Sequence, residues 1–115
     1  MTVTPVQIEN RLKNLSTEIE DAHKNLVASE TAYHTAKASY EIAMARSRMS
    51  VAHPDHKLTS TQREDMALLE NAELHMNLSI AEAQVKASRA NVNRIRTQVD
   101  IARSISVSVR TSLEL

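Results

Sequence analysis

Residues 8–47 read IENRLKNLSTEIEDAHKNLVASETAYHTAKASYEIAMARS. Taken in alternating steps of four and three, they give Ile8, Leu12, Leu15, Ile19, Ala22, Leu26, Ser29, Tyr33, Ala36, Tyr40, Ala43 and Ser47, apolar but for the two serines. A 4-3 spacing keeps one side of a 3.6-residue helix facing a partner, so this stretch reads as the seam of a coiled coil or long helix hairpin. The rest of the chain is expected to cover that seam.

Composition agrees. The 115 residues contain no glycine, cysteine, phenylalanine or tryptophan, and two tyrosines are the only aromatics. Without glycine, positive-φ turns and bulges are costly to build, whereas Ala, Glu, Lys, Arg, Gln and Met favour helix. The expected class is all-α, in one domain. Many seam positions are Ala or Ser, which bury little apolar area. A thin core of this kind is marginal alone, which points to self-association into a helical bundle or ring.

Working outward, Thr4-Pro5-Val6-Gln7 has the form of a helix start, with Thr4 as N-cap, Pro5 at the first helical position and Gln7 closing a capping box. The first helix is expected over 4–51. Pro54 breaks it, because it pushes His53 out of helical geometry, and 52–60 is expected as a loop. Thr61 with Glu64 forms a second capping box, with Thr59 and Gln62 as a competing frame. The second helix is expected over 61–110, with a tail at 111–115. Its seam is Ala67, Asn71, Leu74, Leu78, Ala81, Val85, Ser88, Val92, Ile95, Val99, Ala102, Ser106, Val109 and Leu113. Ser104–Val109 also alternates with period two, as a strand does. Helix is preferred there, since nothing else in the chain would pair with a strand.

A short loop between long helices predicts antiparallel neighbours. Charge favours the same arrangement: 86–110 holds six basic residues against Asp100, and the opposing half of the first helix carries Glu9, Glu18, Glu20, Asp21 and Glu30. The expected fold is a long antiparallel two-helix hairpin.

A second apolar stripe runs about 200° from the first. It comprises Leu69, Met76, Ile80, Ala83, Ala87, Ala90 and Ile101, with Ala38, Ile42, Ala45 and Met49 on the first helix. A helix apolar on two sides is buried on two sides. Ile42, Met49, Leu69, Met76 and Ile80 are therefore expected to mediate self-association. The competing reading is a C-terminal segment folded back over them.

The formal net charge is zero, from 14 basic and 14 acidic residues, so nothing global drives the chain to nucleic acid or anionic membrane. No apolar run reaches the ~20 residues of a membrane span. The N-terminus lacks the pattern of a signal peptide, and a cytoplasmic protein is expected. No catalytic residues, metal, cofactor or small-molecule substrate are expected. The chain has no Gly-rich phosphate loop and no nucleophile beside an evident base. His53-Pro54-Asp55-His56 could supply two metal ligands but lacks a third nearby. His23 and His34 fall on polar faces, and His75 with Glu82 reads as solvated.

The basic run is the one feature with functional content. Lys86, Arg89, Asn93, Arg96, Arg103 and Arg110 recur at roughly helical spacing and, with Arg94 beside them, could meet phosphates; the alternative is that the basic residues pair with the acidic half of the first helix or simply solvate the helix. With no aromatics there to stack bases, such binding would be sequence-independent and salt-sensitive.

The run from Val92 through Ile95, Asp100 and Arg103 to Ser104, continuing to Ser108-Val109-Arg110, resembles the ending of small helical actinobacteriophage proteins of mostly unassigned function. Ala32-Tyr33 and Ala36-Lys37-Ala38-Ser39-Tyr40-Glu41-Ile42-Ala43 share the likeness, which spans most of the chain. More distantly, the alanine and tyrosine pattern, the polar break and the long basic second helix resemble phage recombination mediators of the UvsY type, although this chain lacks their aromatic residues. That resemblance implies a ring-forming protein in the host cytoplasm that binds single-stranded DNA and helps load a recombinase. It would place the DNA contacts on Lys86, Arg89, Arg94, Arg96 and Arg103. The rival expectation is a coiled-coil adaptor that binds no nucleic acid.

Overall fold

The computed structural model describes residues 3–51 and 58–114. Three α-helices follow in order: α1 Pro5–Val51, α2 Ser60–Glu70 and α3 Ala72–Glu114. Among the described residues there is no strand, and the all-α class holds. Residues 52–57, including His53, Pro54, Asp55 and His56, lie outside the described residues.

Local chemistry sets the helix starts. The Thr4 N–H donates to Gln7 Oε1 at 3.0 Å and the Gln7 N–H to Thr4 Oγ1 at 3.3 Å. This reciprocal pair satisfies two of the amides that a helix start leaves open. α2 starts the same way from the earlier of the two frames: the Gln62 N–H donates to Thr59 Oγ1 at 3.1 Å, and the Thr59 N–H to Gln62 Oε1 at 3.0 Å. Inside the helices, Thr97 and Thr111 each donate a hydroxyl to the carbonyl four residues back, at 3.0 Å, which satisfies the hydroxyls without breaking the ladder.

The structure corrects the expectation of one helix over 61–110 in two places. The helical stretch is parted at Asn71, where φ is −112° and ψ is 25°. At this break the Asn71 Nδ2 donates to the Ala67 carbonyl at 2.8 Å and to Ser47 Oγ at 2.8 Å, while the Asn71 N–H keeps its bond to Ala67 at 3.1 Å. An asparagine bonding its own upstream carbonyl competes with the helix ladder. Helix resumes when the Asn71 carbonyl accepts the His75 N–H at 3.0 Å. At the other end α3 runs on to Glu114, so most of the expected tail is helical and the alternating Ser104–Val109 segment lies within α3.

Contacts divide the chain into two compact units. Unit 1 comprises residues 1–28 and 86–115, and its core is Leu15, Ala22, Val92, Ile95 and Ala102 with Leu12, Ile19, Leu26 and Val99 packed against it. Leu15 is wholly buried. Unit 2 comprises residues 29–85 and buries Met44, Ala67, Ala81, Val85 and the hydroxyl-bearing Ser47. Side-chain contacts within unit 2 tie α1 to the later residues. Arg48 makes a two-pronged pair with Glu64 at 2.6 and 3.0 Å, Ser47 meets Asn71, and the Tyr40 and His75 rings meet edge to face at 5.4 Å. His75, expected to be simply solvated, thus has an aromatic neighbour.

Candidate functional site

The basic residues of α3 follow from its periodicity. With the seam residues turned inward, Lys86, Arg89, Arg94, Arg96, Arg103 and Arg110 all fall on exposed positions of unit 1. Arg89, Arg96, Arg103 and Arg110 are each seven residues apart. Seven residues rise about 10.5 Å and return to the same side within about 20°. These four guanidinium groups therefore form one row along α3. Arg94 lies off that row, and its Nη2 donates to Asn91 Oδ1 at 2.8 Å.

Among the described residues, three of these six cations do not pair with the acids of the first helix: Arg96, Arg103 and Arg110 form no ion pair, and the pair seen on the α1 side, Arg11 with Glu18 at 3.7 Å, joins two exposed residues of α1 itself. Unit 1 holds nine basic and six acidic residues, whereas unit 2 holds five and eight. A chain of zero net charge thus carries +3 on one unit and −3 on the other, which is invisible in the total.

A polar cleft of about 340 Å³ opens beside this run, lined by Arg11, Glu18, Asp21, Asn91, Arg94 and Gln98 among others. Gln98 Oε1 is buried and has no hydrogen-bond partner among the described residues. The cleft's two cations and two anions balance, so it selects no ligand charge.

The residues expected to mediate self-association all belong to unit 2 and lie open. Ile42 is 54% exposed, Met49 80%, Leu69 77%, Met76 63% and Ile80 54%. The residues that follow them, 86–114, continue α3 and belong to unit 1. No described group of three or more His, Asp or Glu side chains is arranged to hold a metal ion. No described helix is long and apolar enough to cross a membrane.

Sequence reasoning identified these residues but missed two features of their arrangement. The heptad repeat of the four arginines was available from counting alone. The Asn71 node was signalled by two polar residues, Ser47 and Asn71, at seam positions of different helices. The chain matches no family model, no curated protein and no solved structure.

Proposed function

We propose that this chain is a non-enzymatic helical module that self-associates and holds single-stranded nucleic acid along the arginine row of α3. On this reading it serves as an accessory protein in DNA recombination or replication. The observation that carries the reading is the exposed row Arg89, Arg96, Arg103 and Arg110 on a unit of net charge +3. The phage setting and the loading of a recombinase rest on the family resemblance alone.

The module's frame is an antiparallel two-helix hairpin in this proposal. Arg48 with Glu64, Ser47 with Asn71 and Tyr40 with His75 support it in unit 2, because positions falling along α1 meet rising positions in the later helices. In unit 1, Ile8 lines a cavity with Ala102 and Ile105, and Ala22 one with Ile95, which is the same order. Self-association arrays several arginine rows, and avidity raises weak contacts to useful affinity. The rival reading, an adaptor that binds only protein, is favoured by the open apolar residues of unit 2.

Fluorescence anisotropy with a labelled single-stranded oligonucleotide separates the two. Binding at low salt that Arg96→Glu with Arg103→Glu weakens at least ten-fold supports the nucleic-acid reading. Flat anisotropy at low salt removes it and leaves the adaptor.

A further inference from the structure

The seam of unit 1 has two edges, and they differ in charge. One edge is the polar cleft, where Arg11 and Arg94 balance Glu18 and Asp21. On the other edge, Arg110 of α3 lines a cavity with Glu9 of α1, beside the seam residues Ile8, Leu12 and Val109. From that shared cavity the two helices keep step. Going forward along α1 from Glu9, every seventh residue gives Ser16 and His23; going back along α3 from Arg110, it gives Arg103 and Arg96. Each step of seven returns to the same side of its helix within about 20°. In the antiparallel order proposed above, Ser16 therefore comes opposite Arg103, and His23 opposite Arg96. All four residues are exposed, and all belong to unit 1.

The net charge of unit 1 gathers on this second edge. The row Arg89, Arg96, Arg103 and Arg110 sets four cations against the single anion Glu9, while the unit's other five cations and five anions cancel. Ser16 and His23 add no negative charge, and each can donate a hydrogen bond to a phosphate oxygen. Helices packed along a seam stand about 8–10 Å apart. The edge is thus a groove with arginines on one wall and neutral donors on the other.

We propose that the single strand lies in this groove rather than along the outer side of α3, its phosphates held between Arg96 and Arg103 on one wall and His23 and Ser16 on the other, with Glu9 repelling it at the Arg110 end. This rests on the nucleic-acid reading and the hairpin order given above, and it makes α1 half of the binding site. It also gives the groove a polarity of its own, since the anion stands at one end only.

The test is anisotropy of a labelled single-stranded oligonucleotide with the full chain at low salt. The substituted positions are exposed, so the variants should fold, with helicity by circular dichroism as the check. Ser16→Glu and His23→Glu should each weaken binding about five-fold by setting a carboxylate beside a phosphate. Thr17→Glu adds the same charge about 100° farther round α1, and should change affinity less than about two-fold because solvent screens it there. Glu9→Gln should tighten binding about three-fold by removing the one anion of the groove. Suppose the wild type binds and the Arg96→Glu, Arg103→Glu pair weakens it. Then Ser16→Glu and His23→Glu acting no more strongly than Thr17→Glu, or Glu9→Gln failing to tighten binding, overturns the groove and leaves the nucleic-acid reading standing. Flat anisotropy with the wild type overturns both.

Discussion

Replacing Asn71 with alanine tests the polar node that Asn71 forms with Ser47 in the seam. In the native chain the Asn71 amide donates to Ser47 Oγ and to the Ala67 carbonyl, each at 2.8 Å, and lies 3.8 Å from Met44 Sδ. Ser47 and Met44 are buried, at 7% and 5% exposure. Losing two short, largely shielded hydrogen bonds costs about 1 kcal/mol each. Alanine returns about 0.5 kcal/mol, because it is the better helix former and no longer competes for the Ala67 carbonyl. The expected net loss is about 1.5 kcal/mol. Ser47→Ala alone should cost less, about 0.5–1 kcal/mol, since the Asn71 amide keeps its bond to Ala67. Urea unfolding of the wild type, both single variants and the double variant closes a thermodynamic cycle. The reasoning requires a coupling of about 1 kcal/mol between the two sites. A coupling of zero would mean that the Ser47–Asn71 bond contributes nothing and that the break in the helix has another cause.

Three further outcomes follow from the same structure. Leu15→Ala empties the best-buried position of unit 1 and should cost about 2–5 kcal/mol in urea unfolding; a loss below 1 kcal/mol would show that this core is not formed. Thr59→Ala removes the reciprocal cap of α2 and should cost about 1 kcal/mol, while Thr61→Ala should be near neutral, so equal effects at both positions would contradict the Thr59 frame. If single-stranded DNA follows the four-arginine row, the plot of log affinity against log salt should have a slope of about −2.8 per bound protomer, from ~0.7 counterions released per phosphate. A slope near zero would refute an electrostatic contact.

Much of this architecture could be read from the chain itself. Every seam position from Ile8 to Ser47 is buried or half-buried, and so is every position of the second seam from Ala67 to Val109. Helical period alone selected them, because a long helix can hide only one stripe against one neighbour. Leu113 keeps the seam's spacing yet is 70% exposed. The cavity that holds Val109 is lined from α1 by Pro5 and Ile8, and α1 starts there, so Leu113 has outrun its partner. Asn71 hid for a different reason. Its polarity at a seam position signals a node with Ser47, but spacing treats it as one more seam residue and gives no sign that the backbone leaves helical geometry there. The exposure of Met76, Ile80 and the α3 arginines was legible as faces of a helix. The division of charge between two units was not, because it depends on which segments pack together.

All these proposals require the α1 and α3 seams of unit 1 to face each other and to run in opposite directions. Methyl–methyl nuclear Overhauser contacts on a labelled sample measure this directly. The account predicts cross-peaks from Ile8 and Leu12 toward the Ala102 end of α3 and from Ala22 and Leu26 toward the Val92 end. Contacts in the reverse order, or none between the two sets of methyls, would contradict it.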